Sequence, residues 1–170
     1  MKRYTPTAIL SPVFLIVAFA ITNPIWGCSN GGRQGLMEAI KFPEDFDGII
    51  SEAPAISMTG ATLLFAWLTK QNTGKDGKDI IKPSDIPIIA RAVYEKCDAI
   101  DGGKDGLIHD PRKCQFDPAS LLCGSRDQSE CLTQQQIEVL RAWYEGPVNS
   151  AGEPLLPSGL PLSSEPFWWW

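Results

Sequence analysis

Hydrophobic positions follow a helical period in one stretch of this chain and cluster in a short segment soon after it. Leu36 and Ile40 lie four positions apart, as on one face of a helix, and Pro43 marks the limit of that helix. The apolar residues within 46–50 (FDGII) predict a short buried strand, closed by Pro54. With a strand before the helix, this order gives a β-α-β unit, for which we expect parallel pairing and a right-handed crossover.

The pattern changes at residue 56, and three further segments have helical character. Residues 62–68 are apolar and aromatic, and they predict a helix that packs on a larger body. Residues 71–78 are polar and glycine-rich, which indicates a loop. Residues 84–87 (SDIP) are typical of a helix start, and apolar positions at helical spacing continue from there to Cys97.

A capping box marks the start of the last predicted helix. Thr133 is the expected N-cap and Gln136 stands three positions later, so each side chain can bond to the backbone of the other. Residues 146–147 (GP) end this helix. Residues 147–170 carry five prolines without clear periodicity, and the tryptophans at 168–170 indicate either a stacking patch or a core segment separated from its partners.

Length and composition favour one globular domain: 170 residues, 44% of them hydrophobic and 21% charged. The net charge of −5 argues against a nucleic acid partner, because phosphate contacts need clustered lysine and arginine.

The first twenty residues have the pattern of a signal peptide. Lys2 and Arg3 are basic, residues 13–19 are an unbroken apolar run, and residues 18–20 (AFA) have the small-residue form of a cleavage site. The alternatives are a membrane anchor or a buried strand of the fold. The run is short for a membrane span, which favours a secreted or periplasmic protein without one.

Five cysteines support an oxidising compartment. Four of them lie within 35 residues, which in a secreted chain indicates two disulfides, whereas Cys28 is left over. No Cys-x-x-Cys or histidine-rich pattern is present, so we expect no zinc site.

Residues 27–31 (GCSNG) contain the Gly-x-Ser-x-Gly pattern of a nucleophile elbow. In such an elbow a serine sits at a sharp strand-to-helix turn, and its hydroxyl projects above the sheet. We expect Gly27 and Gly31 to remove Cβ atoms that would clash in the turn. The backbone N–H of Asn30 would lie at the start of the helix, where it can donate to a developing oxyanion. The alternative is a flexible turn before a helix.

A second candidate site lies at residues 97–110 (CDAIDGGKDGLIHD). Asp98, Asp101 and Asp105 alternate with glycines, and Ca²⁺ binds carboxylate and carbonyl oxygens of this kind. The spacing is not that of an EF-hand, and a solvated Asp/Gly turn is the alternative. Cys97 and Cys114 bracket the loop, which favours an ordered site.

The only histidine, His109, lies in this acidic loop. We interpret it as a surface residue, because a catalytic base would have to reach Ser29 and a lone histidine without a placed partner makes no triad.

Both motifs together resemble the tannase and feruloyl esterase family. The similarity runs from residues 27–35 (GCSNGGRQG) through 42–48 (FPEDFDG) and 53–55 (APA) to the cysteine- and aspartate-containing stretch 97–133. It covers the chain from about residue 27 to about residue 165. It implies an α/β-hydrolase fold, here as a partial core (strand, elbow, helix, strand) plus part of a mixed, disulfide-bonded lid, with core residues 21–56 and lid residues 57–170.

The resemblance also implies roles for individual residues. Ser29 corresponds to the nucleophile, and the N–H of Asn30 to an oxyanion donor. The implied calcium ligands are Asp98, Asp101, Asp105 and the carbonyls of Gly103 and Leu107. The implied disulfides are Cys97–Cys114 and Cys123–Cys131, with Cys28 paired to a cysteine beside the catalytic histidine, outside this chain.

The chain departs from the family pattern in what it contains. The catalytic Asp, the catalytic His and the second oxyanion donor have no counterpart here, so we interpret the sequence as a fragment with little or no esterase activity. The implied substrate is a small aromatic ester, such as a hydroxycinnamate or gallate. Two rivals stay open: a non-catalytic, calcium-stabilised lid or binding module, and a thiol enzyme with Cys28 as nucleophile.

Overall fold

The computed structural model describes residues 23–124 and 130–168. The chain divides into two compact units, residues 1–58 and 59–170. The expected leader at residues 1–20 lies outside the described residues, as do the last two tryptophans. No helix in the described parts of the chain is both long and apolar enough to cross a membrane.

The first unit is a single β-α-β element. Strand β1 (Pro24–Cys28) leads into helix α1 (Asn30–Lys41), and strand β2 (Gly48–Glu52) follows. The two strands pair in parallel, with Cys28 opposite Glu52 at the end of the ladder. The predicted parallel pairing and helix are therefore confirmed, and α1 ends two residues before Pro43.

The predicted position and burial of the second strand were wrong. The strand runs over Gly48–Glu52 rather than 46–50, and Ile50 is 57% exposed. The shift has a cause distant in sequence, because the Asp47 carboxylate accepts the Asn23 N–H at 3.0 Å and the Asp45 carbonyl accepts the Asn23 side-chain amide at 2.7 Å. These bonds hold residues 45–47 in a turn, so the strand begins after them.

Small residues bring α1 onto the sheet. The buried residues of this helix are Gly32 and Gly35, and a Cβ atom on Gly35 would lie 3.2 Å from the Ile49 side chain. The apolar residues Leu36 and Ile40, which predicted the helix, are not its buried face: Leu36 is half-buried and Ile40 is 73% exposed.

The second unit is helical and loop-rich. Its long helices are α2 (Met58–Asn72), α3 (Ile86–Cys97) and α4 (Gln134–Glu145). A loop joins α2 to α3, and short 3₁₀ turns lie between α3 and α4. The predicted helix start at 84–87 is confirmed. The capping box is also confirmed, since Thr133 Oγ1 accepts the Gln136 N–H and the Gln136 side chain accepts the Thr133 N–H.

One apolar core joins these helices. It is formed by buried side chains from α2, α3, α4 and the C-terminal segment, among them Leu68, Ile89, Leu140, Trp143 and Trp168. Two indole N–H groups join α2 to α4: Trp67 donates to the Ala142 carbonyl at 2.8 Å, and Trp143 to the Leu68 carbonyl at 3.1 Å. Trp168 is buried and packs edge-on against Trp143. It is therefore a core residue, as one interpretation predicted, but it is not separated from its packing partners.

Candidate functional site

Ser29 stands between β1 and α1 in a backbone conformation that serine rarely adopts. Its φ is 57° and its ψ is −117°. An L-residue at positive φ brings its Cβ close to the backbone, at a cost of about 1–3 kcal/mol, and such strain concentrates at functional sites. The strand–turn–helix context and the strained serine are the two features that a nucleophile elbow requires.

The turn is tight because Gly27 packs directly on the backbone of Gly31. A Cβ atom on Gly27 would lie 2.3 Å from the Gly31 carbonyl oxygen. The expectation that Gly31 also avoids a clash was wrong, because a Cβ there would meet nothing within 4 Å. The second required glycine is Gly32, whose Cβ would lie 2.5 Å from the Glu52 carbonyl oxygen.

Backbone hydrogen bonds fix both sides of Ser29. Its N–H donates to the Glu52 carbonyl at 3.0 Å, and its carbonyl accepts the N–H groups of Arg33 and Ala55, each at 3.0 Å. Asn30 is the first residue of α1, so its N–H has no acceptor within the helix. The Asn30 side chain accepts from the Arg33 guanidinium at 2.9 Å.

Cys28 is an exposed free thiol beside Ser29. Residues 23–58 contain no histidine, because the single histidine, His109, belongs to the second unit. His109 is exposed, as expected.

The acidic loop of the second unit is ordered by its own carboxylates. Asp98 Oδ1 accepts the Gly106 N–H at 2.9 Å, and Asp105 Oδ1 accepts the Leu107 N–H at 3.1 Å. Asp101 accepts the N–H groups of Gly103 and His109, and these bonds hold the pKa of Asp101 below its usual range.

The carboxylate oxygens of this loop are of the ligand type that a hard cation such as Ca²⁺ prefers. Asp98 is buried, only 6% exposed, and carboxylates of Asp101 and Asp105 both approach Gly103, at 3.7 and 3.6 Å from where its Cβ would stand. Among the described residues, no three His, Cys, Asp or Glu side chains converge on one point. A cation here would therefore draw on backbone carbonyls as well, which Ca²⁺ accepts readily.

Two disulfides brace the second unit, in the pairing that the resemblance implies. Cys97 joins Cys114 around the acidic loop, and Cys123 joins Cys131 before α4. Cys97 is fully buried, and with Cys114 it packs in a second apolar cluster beside Val93 and Ile108.

Sequence reasoning missed two groups of residues. Residues 51–55 contact Ser29 and α1, yet their only signal was a proline at the end of a predicted strand. Glu165 is fully buried, and Tyr144 donates to its Oε1 at 2.8 Å while its Oε2 has no partner. Burial raises the pKa of Glu165. Nothing in the sequence pattern distinguishes this glutamate from a surface one.

Comparison with known proteins is consistent with these motifs. The family model "Tannase and feruloyl esterase" matches residues 25–168. The chain is 40% identical over 124 residues to an uncharacterized esterase of Xanthomonas campestris pv. campestris, covering 73% of this chain and 21% of that protein. It is 34% identical over 150 residues to the mono(2-hydroxyethyl) terephthalate hydrolase of Piscinibacter sakaiensis, covering 76% and 25%.

The crystal structure of feruloyl esterase B from Aspergillus oryzae superposes with a TM-score of 0.65 at 30% identity, covering 82% of this chain and 29% of that one. This likeness confirms the α/β fold class as a partial domain. The chain thus spans about a quarter of the length of the relatives it matches. On the extent of the family match and these identities, the chain belongs to the tannase and feruloyl esterase family.

Proposed function

We propose that the first unit carries the nucleophile elbow of a serine carboxylic ester hydrolase that acts on small aromatic esters. The observation that carries the proposal is Ser29 at φ 57° between β1 and α1, above a Gly27–Gly31 contact too close for any other residue. Membership of an esterase family supports the reaction class. The mono(2-hydroxyethyl) terephthalate and feruloyl relatives support an aromatic acyl group.

In this proposal, the Ser29 hydroxyl attacks the ester carbonyl, and the Asn30 N–H helps to hold the tetrahedral oxyanion at the start of α1. The hydroxyl needs a general base, in serine hydrolases a histidine held by a carboxylate, and residues 23–58 contain no histidine. We therefore expect little or no turnover from the 170-residue chain by itself. Hydrolysis of methyl ferulate by the pure chain, abolished by Ser29→Ala, would contradict that expectation.

A chimera tests the role of Ser29 where a base is available. Residues 23–58 would replace the matching segment of Aspergillus oryzae feruloyl esterase B, and turnover of methyl ferulate would be measured. We expect activity in the chimera, loss of activity with Ser29→Ala, and reduced but measurable activity with Cys28→Ser, which removes the disulfide that the resemblance implies and leaves the serine nucleophile in place. A folded chimera that is inactive would argue against Ser29 as nucleophile. Activity that survives Ser29→Ala but not Cys28→Ser would favour the thiol alternative.

We further propose that the acidic loop holds a structural Ca²⁺ ion. Asp98, Asp101 and Asp105, with the carbonyls of Gly103 and Leu107, would supply the oxygen ligands, and the Cys97–Cys114 disulfide closes the loop around them. The ion would stabilise the second unit and take no part in the reaction. Disulfides and family relatives support a secreted or periplasmic location.

Thermal unfolding tests the ion site. We expect Ca²⁺ to raise the Tm of the chain, a chelator to lower it, and Asp101→Ala to remove the response. Asp76→Ala is the matched control, because Asp76 lies in another exposed loop, beside Lys78. A Tm that does not respond to Ca²⁺ would reject the ion site. A calcium response in a chain whose chimera is inactive would support a non-catalytic lid or binding module instead.

A further inference from the structure

The backbone after β2 departs from regular pairing at the level of Ser29. In a regular parallel ladder, one residue bonds through its N–H and its carbonyl to two residues that lie two positions apart on the neighbouring strand. Since Cys28 pairs with Glu52, Ser29 should bond to residues 52 and 54. It bonds instead to Glu52 and Ala55, three positions apart. One extra residue is therefore accommodated here, as in a β-bulge.

Ala53 and Pro54 are the cause of this extra residue. Pro54 has no N–H, so it cannot donate to the Ser29 carbonyl. Ala53 has φ 36°, a left-handed value that an L-residue adopts only when its surroundings hold it there. Together they turn the chain so that the next N–H, that of Ala55, points at Ser29. Ser29 and Ala53, two non-glycine residues at positive φ, thus lie opposite each other at the end of the ladder.

A side chain ties the same segment to α1. Ser51 Oγ donates to the Gly32 carbonyl at 2.7 Å, in a partly buried position. Gly32 lets the segment approach, because its Cβ would lie 3.2 Å from the Pro54 Cα as well as against Glu52. The segment therefore contacts the first turn of the helix and both backbone groups of Ser29.

We propose that residues 51–55 form a positioning element for Ser29: left-handed Ala53 and Pro54 place the Ala55 N–H on the Ser29 carbonyl, and Ser51 fixes the segment to α1. This inference rests on the proposed role of Ser29 as nucleophile. Ser51 and Ala53 act through Ser29 and touch no substrate. Their function is to keep the residue-29 side chain at the N-terminus of α1, beside the Asn30 N–H that would hold the oxyanion formed on attack.

A thiol at position 29 gives a readout that needs no ester turnover. In the full chain with Cys28→Ser and Ser29→Cys, the pKa of the new thiol would be followed by the pH dependence of its alkylation by iodoacetamide. A thiol held at a helix N-terminus has a lowered pKa. We expect the folded chain to show a pKa about one unit or more below that of the same chain in urea. Equal values would overturn the inference, because the elbow would not hold the side chain there.

Two substitutions of Ala53 test whether its left-handed backbone conformation is what positions residue 29. Glycine adopts φ 36° without strain, so Ala53→Gly should leave the thiol pKa unchanged. A β-branched residue resists positive φ, so Ala53→Val should return the pKa toward its urea value and slow alkylation at neutral pH about tenfold per unit. If both variants match the parent, or if both lose the shift alike, the inference is wrong.

Hydrogen exchange of residues 23–58 would reveal whether the Ala53→Val chain fails to fold. In that case, two milder substitutions of Ser51 test the same inference. Ser51→Ala removes one hydroxyl–carbonyl bond and should raise the thiol pKa in part, whereas Ser51→Thr keeps the hydroxyl and should restore it. A Ser51→Ala chain that keeps the full shift would overturn the role of Ser51. Because no esterase activity enters, an inactive chimera and a failed positioning element give different results.

Discussion

Alanine at Gly27 and at Gly31 tests the elbow most directly, because the two glycines flank Ser29 symmetrically in sequence but not in space. A Cβ on Gly27 would lie 2.3 Å from the Gly31 carbonyl oxygen and 2.4 Å from its carbonyl carbon. Both atoms belong to backbone that the ladder and helix hold in place. A Cβ on Gly31 would meet nothing within 4 Å.

The expected magnitudes have opposite signs. Overpacking costs about 1–3 kcal/mol, and a contact more than half an ångström below the shortest that real Cβ atoms show places Gly27→Ala at the upper end, about 2–3 kcal/mol. Gly31 lies within α1, where alanine is favoured over glycine by about 0.5–1 kcal/mol. Gly31→Ala should therefore stabilise the first unit slightly.

Hydrogen exchange measured by mass spectrometry can assign the effect to the first unit. Peptides covering β1 and β2 should exchange about 30- to 140-fold faster in Gly27→Ala and no faster in Gly31→Ala, at about 1.4 kcal/mol per tenfold change. Peptides from α4 should be unchanged in both variants. Equal effects of the two substitutions on β1 and β2 would refute the assignment of the close contact to Gly27.

Three further predictions concern the second unit, and urea unfolding checks each of them. Burial raises the pKa of Glu165 above 4.5, so the stability that its protonated form contributes is complete below about pH 4.5 and is lost as the pH rises through the folded-state pKa. Glu165→Gln should remove this dependence, and parallel stability–pH profiles for both chains would contradict the argument. Replacing Cys97 and Cys114 by alanine should cost about 3 kcal/mol, since the bridge closes a separation of 17 residues; a loss below about 1 kcal/mol would count against the loop-closure estimate. Thr133→Ala should cost about 1 kcal/mol by removing the capping box, and an unchanged midpoint would show that the cap does not contribute.

Local rules predicted the features whose causes lie within a few residues. The capping box at Thr133 and Gln136 follows from two side chains three positions apart, and the start of α3 follows from a proline near its first turn. The serine elbow was also accessible, because its pattern, a strand before it and a helix after it are all local. In each case the physical requirement and the residues that meet it are neighbours in sequence.

Features that depend on residues far apart in sequence were misjudged or missed. The start of β2 was misplaced because Asn23, more than twenty residues earlier, holds Asp45 and Asp47 in a turn. Gly31 was given a role that belongs to Gly27 and Gly32, since only the path of the backbone shows which Cβ would collide. Glu165 is buried beside Tyr144 of α4, whose hydroxyl donates a hydrogen bond to its carboxylate.

The strain at Ser29 shows why the elbow pattern alone is not sufficient to specify its geometry. Gly27 makes the tight turn sterically possible. It does not by itself stabilise a serine at positive φ, which costs about 1–3 kcal/mol of backbone strain. That energy must be offset by contacts from outside the pattern, and the structure provides them through Glu52 and Ala55, which bond to both backbone groups of Ser29. A sequence that keeps residues 27–31 but alters the turn after β2 should therefore match the motif and lack the elbow. The residues that follow the second strand thus belong to the definition of the nucleophile site as much as the pentapeptide does.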